Sequence, residues 1–513
     1  MTETFKNLLA EESRLEPTAR RRAKIVCTLG PSSDTEEEIR QLLSLGMDVA
    51  RLNFSHGSHE EHLKRIRTLR RVATELGRTV CVLQDLQGPK IRTSALRNHT
   101  PVNLIAGSHV TITNKEIEGT AELLGTTFKT LAREAEPGSR ILLSDGRLSL
   151  KVLEVQGDDV LCEVIDGGLL GEHQGINLPG AVLSTPSLTA KDKKDLKFGL
   201  SVDVDAVAIS FVRNAGDIRA VKKIIAAAGR DTPVIAKLEK PQAIENLEEI
   251  LQIADGVMVA RGDLGVEVPP EKVPIIQKHV IRRAQYWRKP VITATQMLDS
   301  MIQNPRPTRA EASDVANAIY DGSDAVMLSG ETASGKYPPE AVSMMARIVV
   351  EAEADIRRVT TTARRRDPRE LTIPEAICES VAHVAQELNM RGIAVFTASG
   401  NTARLISKFR PRAEVYAFSH VPEVCNRLNL YWGVRPVPIP ALRSVEAMID
   451  AAEAELRRTK VANTDDVVAI VAGTRMVTAG STNFIRLHRI RPLDKASGRK
   501  SKSKKTTTKD TER

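Results

Sequence analysis

Cysteine is sparse in this chain of 513 residues: there are five, Cys27, Cys81, Cys162, Cys378 and Cys425, and no two stand close together. The spacing excludes paired-cysteine zinc sites and the odd count argues against a disulfide framework, so the thiols read as reduced packing residues. Long apolar runs are absent as well. No stretch of about 18 uninterrupted apolar residues occurs, which excludes an ordinary membrane helix. The N-terminal MTETFKNLLAEESRLEPTARRRAK lacks the apolar core of a signal peptide. The expectation is a soluble, cytoplasmic protein with no membrane partner. Two nucleotide-binding devices are also missing: there is no Walker loop, and no G-x-G-x-x-G in a strand-to-helix setting. Nucleotide phosphates would have to be held by side chains and metal.

The formal charge is +9, but the tail KASGRKSKSKKTTTKDTER, from Lys495, holds eight cations and two anions and so carries +6 of it. The remaining chain is close to balanced, and nucleic acid is not an expected partner. The Lys/Ser/Thr composition of 495–513 cannot bury enough surface to offset ordering entropy, which predicts a disordered basic tail.

A chain of this length exceeds what one hydrophobic core organises, so two or three domains are expected. From residue 23 to 335, short β-branched runs alternate with amphipathic helical stretches. The runs are AKIVCTL, DVARLNF, TVCVLQDL, DAVAISF, PVIAKLE, DGVMVA, KPVITAT and DAVMLSG. The helical stretches include TEEEIRQLLSLG, HEEHLKRIRTLRRVATELG and KPQAIENLEEILQIA. Eight βα units predict an α/β fold, a closed (β/α)8 TIM barrel. After Thr93 the cadence stops for roughly a hundred residues of strand-like alternation, which predicts an inserted all-β domain. It ends near INLPGAVLSTPSLTAKD, where Thr189 is placed to cap a helix. Beyond the long helix YPPEAVSMMARIVVEAEADI, the strands GIAVFTASG, EVYAFSH, WGVRPVPI and VVAIVAG predict a small C-terminal α/β domain. The expected parts are a segment 1–20, a barrel from 21–93 and 188–360, an insert 94–187, a C-terminal domain 361–494 and the tail.

Polar residues of a barrel converge where its strands end. Here those ends carry Arg51, Asn53, Ser55 and His56 on strand two, Asp85 with Lys90 and Arg92 on strand three, and Lys237 and Glu239 on strand five. Strand six gives Arg261, Gly262 and Asp263, strand seven Thr295 and Gln296, and strand eight Ser329 and Glu331. Each alone reads as a barrel salt bridge or cap; together they describe a reaction type. Glu239 and Asp263 suit a magnesium ion that keeps sites for water and substrate oxygens. Arg51, Arg92 and Lys237 add the fixed positive charge that stabilises transferring phosphoryl oxygens and an enolate.

The segments ARLNFSHG, QDLQGPKIRT, AKLEKPQAIEN, VMVARGDLGVEV, VITATQMLDSM, RAEASDVANAIYDGSDAVMLSGETASGKYP and TASGNTARLISKFRP resemble pyruvate kinase, over about Arg21 to Pro492. The resemblance implies a catalytic barrel, a β-rich lid inserted after its third strand, a regulatory α/β domain and a homotetramer. It implies the reaction of phosphoenolpyruvate with ADP to give pyruvate and ATP. Glu239 and Asp263 would hold Mg2+, for which Mn2+ can substitute, while Arg51, Lys237, Gly262, Asp263 and Thr295 would bind substrate. Lys237 would be the transition-state cation, Arg51 the phosphate clamp and Thr295 a participant in protonating the enolate, with Ser329 and Glu331 nearby. Asn53, Ser55, His56 and Arg92 would meet the nucleotide phosphates.

Many relatives carry D-T-K-G-P-E where this chain has Asp85-Leu86-Gln87-Gly88-Pro89-Lys90. The Leu, Gln and Lys combination resembles a branch of the family that does not require potassium. An ammonium on a flexible stem can place a compact charge beside Asn53, Ser55, Asp85 and Leu86, where the free ion would sit. The alternative is that Lys90 neutralises Asp85 and monovalent ions still contribute. Thr93 departs from that branch, which often has a bulky aliphatic residue there. In the lid, a family lysine before G-x-N-L-P-G is missing, since the chain reads Gly171-Glu172-His173-Gln174-Gly175. Thr397, Ser399, Gly400, Asn401 and Thr402 resemble a sugar-phosphate effector loop, a strand-to-helix turn suited to cradling a phosphate. Arg475 is a further candidate there, and a ligand-free capping turn is the alternative.

Two readings from other classes compete. One is a barrel lyase of oxo acids that stabilises a magnesium enolate; it would retain the Glu/Asp pair without needing Arg51, Lys237 and a lid together. The other is a non-catalytic regulator that binds nucleic acid through its basic tail. Deleting residues 496–513 is expected to leave turnover of the purified protein unchanged, and a large loss would favour the tail-centred reading.

Overall fold

The computed structural model describes residues 21–181, 185–359, 370–442, 444–473 and 482–492. The segment 1–20, the linker around 360–369, Arg475 and the basic tail lie outside the described residues. Each of the eight β-branched runs forms a barrel strand: Lys24–Thr28, Val49–Asn53, Cys81–Asp85, Ala206–Ile209, Val234–Leu238, Gly256–Ala260, Val291–Ala294 and Ala325–Leu328. All pairings are parallel, and the ring closes where Lys24 pairs with Ala325 and Cys27 with Leu328. Parallel barrel strands are covered on both faces, inside by one another and outside by helices, which is why they read as near-continuous apolar runs. Alternate residues divide between two cores. Ile25, Cys27, Val82 and Ala236 face the helices, while Val26, Val49, Cys81, Leu83 and Ile235 fill the barrel.

Helix ends follow local chemistry. Thr35 with Glu38, Ser58 with Glu61, Thr189 with Asp192 and Thr308 with Glu311 each form a capping box, so the expected cap at Thr189 is found. The stretch KPQAIENLEEILQIA, expected as one helix, forms two, Pro241–Glu245 and Leu247–Ile253. They break at Asn246, whose side-chain amide donates to the Arg213 carbonyl at 3.0 Å and so competes with the helical ladder.

The insert follows Asp85 and closes before the helix Ala190–Ser201. It holds a six-stranded sheet with its own core, including Ile112, Leu150, Val160 and Val164, and a two-stranded ribbon. Its outgoing and returning chains are tied together. Ile176 N–H donates to Ile91 O at 2.9 Å, Thr93 N–H to Gln174 O at 2.8 Å, and Gln174 N–H to Thr93 Oγ1 at 2.9 Å. The hydroxyl at position 93 is therefore a structural acceptor in the neck of the insert. Just below, the buried Asp192 carboxylate accepts Gly88 N–H at 3.0 Å as well as Thr189 N–H at 2.9 Å, gripping both chains at the barrel rim. Gly88 has φ +69, and an added Cβ would stand 2.7 Å from the Phe211 ring, so only glycine fits this hinge.

The C-terminal sheet contains the four expected strands, Gly392–Phe396, Glu414–Ser419, Val434–Pro438 and Val467–Gly473. A fifth, Thr482–Arg489, pairs antiparallel at its edge; its apolar Ile485 and Leu487 lie on the exposed face while Thr482 and Phe484 are turned inward, so its sequence lacks the usual apolar-in, polar-out alternation. Among the described residues no helix is long and apolar enough to cross a membrane.

The barrel is bolted to this sheet by a buried charge cluster. Asp324 Oδ2 meets Lys408 Nζ at 2.5 Å and accepts Val291 N–H at 2.8 Å, while Oδ1 meets Arg410 at 3.0 Å. Burial lowers the Lys408 ammonium to about 8, in spite of Asp324. Removing one member strands the other charges in a dry interface, which costs about 3–5 kcal/mol. Asp324→Ala is therefore expected to lower the unfolding free energy by about that amount in urea denaturation, and an effect within the range of an ordinary surface substitution would deny the cluster an anchoring role.

Candidate active site

The alternation that separates the two cores also builds the barrel mouth. Counting in twos from interior residues, Val49 leads to Arg51, Cys81 and Leu83 to Asp85, Ile235 to Lys237 and Glu239, Ala208 to Ser210, and Val26 to Thr28. Strand geometry alone thus turns these polar side chains inward at the carboxyl end. They form one network. Arg51 Nε meets Asp85 Oδ2 at 2.6 Å, and its Nη1 donates to Thr28 Oγ1 at 2.9 Å. Lys237 Nζ donates to Ser210 Oγ at 2.7 Å, lies 2.8 Å from Glu239 Oε1, and makes an ionic contact of 3.3 Å with Asp85 Oδ1. Glu239 Oε2 accepts Phe211 N–H at 2.7 Å, and Phe211 is held at φ +55 to present it.

The electrostatics favour a permanent cation at position 237. Burial works against the Lys237 ammonium, but Asp85 and Glu239 outweigh it and raise its pKa above the ordinary lysine value. Asp85 is likewise penalised by burial, yet Lys237 and Arg51 hold its carboxyl below the usual range. Glu239 is pushed up by burial, opposed by Lys237, with the neighbouring Asp263 charge adding to the rise. Positive charge between Glu239 and Asp263 would relieve that penalty.

Asp263 lies in the short helix Arg261–Glu267, which begins directly at the end of strand Gly256–Ala260. Among the described residues its carboxylate makes no hydrogen bond or ion pair. These two carboxylates, close enough for the Asp263 charge to disfavour that of Glu239 and one of them unpartnered, fit a hard divalent cation. No cluster of three or more His, Cys, Asp or Glu suited to a metal occurs among the described residues, so such an ion would keep positions open for substrate and water. Gly262 N–H donates to Thr295 Oγ1 at 2.7 Å, and an added Cβ at Gly262 would meet only ordinary 3.5 Å contacts with Thr295, so protein packing does not itself demand glycine there. Thr295 has φ +70, a costly conformation for a β-branched residue. Arg261 supports it from behind, donating to Thr295 O at 2.8 Å and pairing with Asp314 at 2.6 Å. Glu331 is buried and accepts Leu298 N–H and Ser329 N–H, and burial raises its pKa.

On the other side of the mouth, the turn after strand Val49–Asn53 carries Asn53, Ser55 and His56. Asn53 Oδ1 accepts Ser55 N–H at 3.1 Å, and His56 is exposed. Partial burial lowers the His56 pKa, and Lys90, Arg92 and Arg51 lower it further, so this end of the cleft is strongly positive. Lys90 is exposed and forms no ion pair with Asp85, whose oxygens are taken by Arg51 and Lys237. Leu86 is buried and its carbonyl accepts Ser210 Oγ–H at 2.8 Å. A cleft between insert and barrel is lined by Lys90, Arg92, Asp145, Gln174, Lys240 and Asp263 among others.

The loop at Thr397 stands apart, in the C-terminal domain. Thr397 Oγ1 accepts Gly400 N–H at 2.9 Å, Asn401 Oδ1 accepts Arg404 at 2.7 Å, and Thr402 is turned inward to share a 2.5 Å hydrogen bond with Thr482. Ser399 is exposed.

Sequence reasoning passed over Ser210 and the backbone of Phe211, because strand four ends without a charged residue. The signal was present: Ser210 stands two and four residues beyond the interior positions Ala208 and Ala206. Lys240, Glu267 and Asn177 were also passed over, and nothing in their local pattern marks them.

Comparison with known proteins agrees with this architecture. The family model described as pyruvate kinase, barrel domain, matches residues 20–342, and that described as pyruvate kinase, alpha/beta domain, matches 375–488. The pyruvate kinase of Staphylococcus aureus strain MRSA252 is 46% identical over 470 residues, 91% of this chain and 80% of that protein. That of Staphylococcus saprophyticus is 46% identical over 471 residues, with the same coverage of 91% and 80%. The crystal structure of a pyruvate kinase from Cryptosporidium parvum superposes with a TM-score of 0.86 at 37% identity, covering 92% of this chain and 97% of that one. With both domains matched in order and a charged barrel mouth of this composition, the chain belongs to the pyruvate kinase family.

Proposed function

We propose that this chain catalyses transfer of the phosphoryl group of phosphoenolpyruvate to ADP, giving pyruvate and ATP, with a magnesium ion held by Glu239 and Asp263. The observation that carries the reading is the buried, permanently charged Lys237, fixed between Asp85, Glu239 and Ser210. When bound, magnesium supplies Lewis-acid stabilisation of oxygens that gain negative charge. Lys237 supplies a second positive charge that needs no reorganisation as the bond to phosphorus breaks. Arg51 is oriented through Nε and Nη1, leaving Nη2 to clamp the substrate phosphate. Gly262 and Asp263 line the substrate pocket, and the Thr295 hydroxyl stands beside them for the proton delivered to the enolate carbon, with Ser329 and Glu331 nearby.

Asn53, Ser55, His56 and Arg92 form the nucleotide-phosphate end, supported by the positive field that depresses the His56 pKa. Lys90 replaces a free potassium ion. Support comes from its exposed ammonium at the same positive end and from Asp85 being already neutralised by two other cations. With the family's lid lysine replaced by Gln174, nucleotide contact from the lid rests on other groups. The working units are the barrel of 21–93 and 188–360, the lid 94–187 and the regulatory domain 361–494, assembled as a homotetramer. A phosphorylated effector at Thr397, Ser399, Gly400, Asn401 and Thr402 belongs to the same reading, with Ser399 the hydroxyl most open to it.

The direct test is ATP formation from phosphoenolpyruvate and ADP with magnesium in tetramethylammonium salts, at constant ionic strength, with and without potassium. Equal activity in both buffers is expected. Activity only with potassium would overturn the role of Lys90, and none in either would overturn the reaction. Lys237→Met is expected to lower kcat roughly a thousandfold or more with an unchanged unfolding transition; near-normal turnover would remove Lys237 from the mechanism.

A further inference from the structure

Glu267 closes the helix Arg261–Glu267, one turn after Asp263, and only 2% of its side chain is exposed. Its Oε1 accepts two donors from distant parts of the chain: Lys240 Nζ at 2.5 Å and Asn177 Nδ2 at 3.0 Å. Lys240 directly follows Glu239, and its buried ammonium lies 5.8 Å from the ring of Phe211, whose N–H is bonded to Glu239. Asn177 ends the strand Ile176–Asn177, which pairs with Arg140–Leu143 and so moves with the lid sheet. One carboxylate oxygen therefore joins the segment bearing Glu239, the helix bearing Asp263, and the lid.

A buried ion pair is stable only when its remaining polar sites are satisfied. The Asn177 amide provides a charge-assisted hydrogen bond to Glu267, and lid movement would withdraw it. We propose that Asn177, Lys240 and Glu267 form a latch that couples the position of the lid to the geometry of the Glu239 and Asp263 carboxylates. Asn177 is then a positioning residue for the metal and phosphoenolpyruvate, although it belongs to the lid. Coupling of this kind is reciprocal, so metal and phosphoenolpyruvate binding favours the seated lid before ADP arrives. The inference rests on the reading of Glu239 and Asp263 as the metal pair.

The test is Mn2+ binding to the full chain, followed by electron paramagnetic resonance, with phosphoenolpyruvate present and ADP absent. Outer partners of metal ligands typically change affinity by about 10–100-fold, so Asn177→Ala is expected to weaken Mn2+ binding about tenfold or more. The chain should remain folded, with its thermal transition lowered by no more than the loss of one charge-assisted hydrogen bond. Asn177→Asp has nearly the same shape but sets a second carboxylate against Glu267, and is expected to weaken binding further. It also serves if Asn177→Ala does not fold. Wild-type Mn2+ affinity in a folded Asn177 variant would overturn the latch alone, provided that Asp263→Asn abolishes binding. Retained binding in Asp263→Asn would overturn the metal pair, and the latch with it.

Discussion

The arrangement at the mouth depends on one constraint: Asp85 must balance two cations inside a barrel that admits little water. Its two oxygens are divided between Arg51 and Lys237, at 2.6 and 3.3 Å. An unpaired charge in such a place costs several kcal/mol, so Arg51 depends on this carboxylate alone, while Lys237 shares it with Glu239. Burial also gives the site its strength, because fixed charges in a low-dielectric surrounding act on developing charge without first reorienting. The position of Asp85 at the end of strand Cys81–Asp85 is equally consequential. Three residues later, at Gly88, the chain enters the hinge that leads to the insert, so the counter-ion and the outgoing hinge belong to one segment.

How much of this is legible in the sequence depends on whether a feature is local. Barrel strands are buried on both faces, and their β-branched runs are plain in the sequence; each of the eight became a strand. The charged strand ends were equally visible, because Arg51, Asp85, Lys237 and Glu239 interrupt apolar runs. Features that arise from contacts between distant segments were not. Nothing near Asp192 announces that it will accept the N–H of Gly88, 104 residues away, and nothing near Glu267 announces Asn177. Thr93, which is anomalous when read along the chain, becomes intelligible once Gln174 is seen bonded to its hydroxyl. The edge strand Thr482–Arg489 was obscured because Ile485 and Leu487 lie on its open face while Thr482, Arg486 and His488 share the other with Phe484.

The two ends of the cleft are built on different principles. Groups proposed for phosphoenolpyruvate and metal stand on barrel strands, one residue past a strand end as Glu239 and Thr295 do, or on the short helix that follows a strand. Those proposed for the nucleotide stand at the end of strand Val49–Asn53, on the turn that follows it to Gly57, and on the hinge from Gly88 to Thr93, whose sheet pairing is limited to isolated bridges at Arg92 and Thr93. The turn is secured from behind instead. Lys191 Nζ donates to Phe54 O at 2.6 Å, and His62 donates to His56 O at 3.0 Å while stacking on the Phe54 ring at 4.1 Å.

That support requires a proton on His62 Nε2, since a carbonyl oxygen only accepts, and in the neutral ring this is the Nε2–H tautomer. Burial, outweighing the favourable His56 carbonyl, lowers the His62 pKa to about 4, so the required form persists through the physiological range. Phe54 packs on one side of this arrangement and the 2.8 Å contact of His59 Nε2 with Asp195 Oδ1 closes another, with Asp195 also bonded to Lys191. The same helix, Ala190–Ser201, thus steadies the turn after strand Val49–Asn53 through Lys191 and the outgoing hinge through Asp192. A displacement of that helix would reach both supports at once, whereas Lys237 and Arg51, held by their own strands and by Asp85, would keep their places.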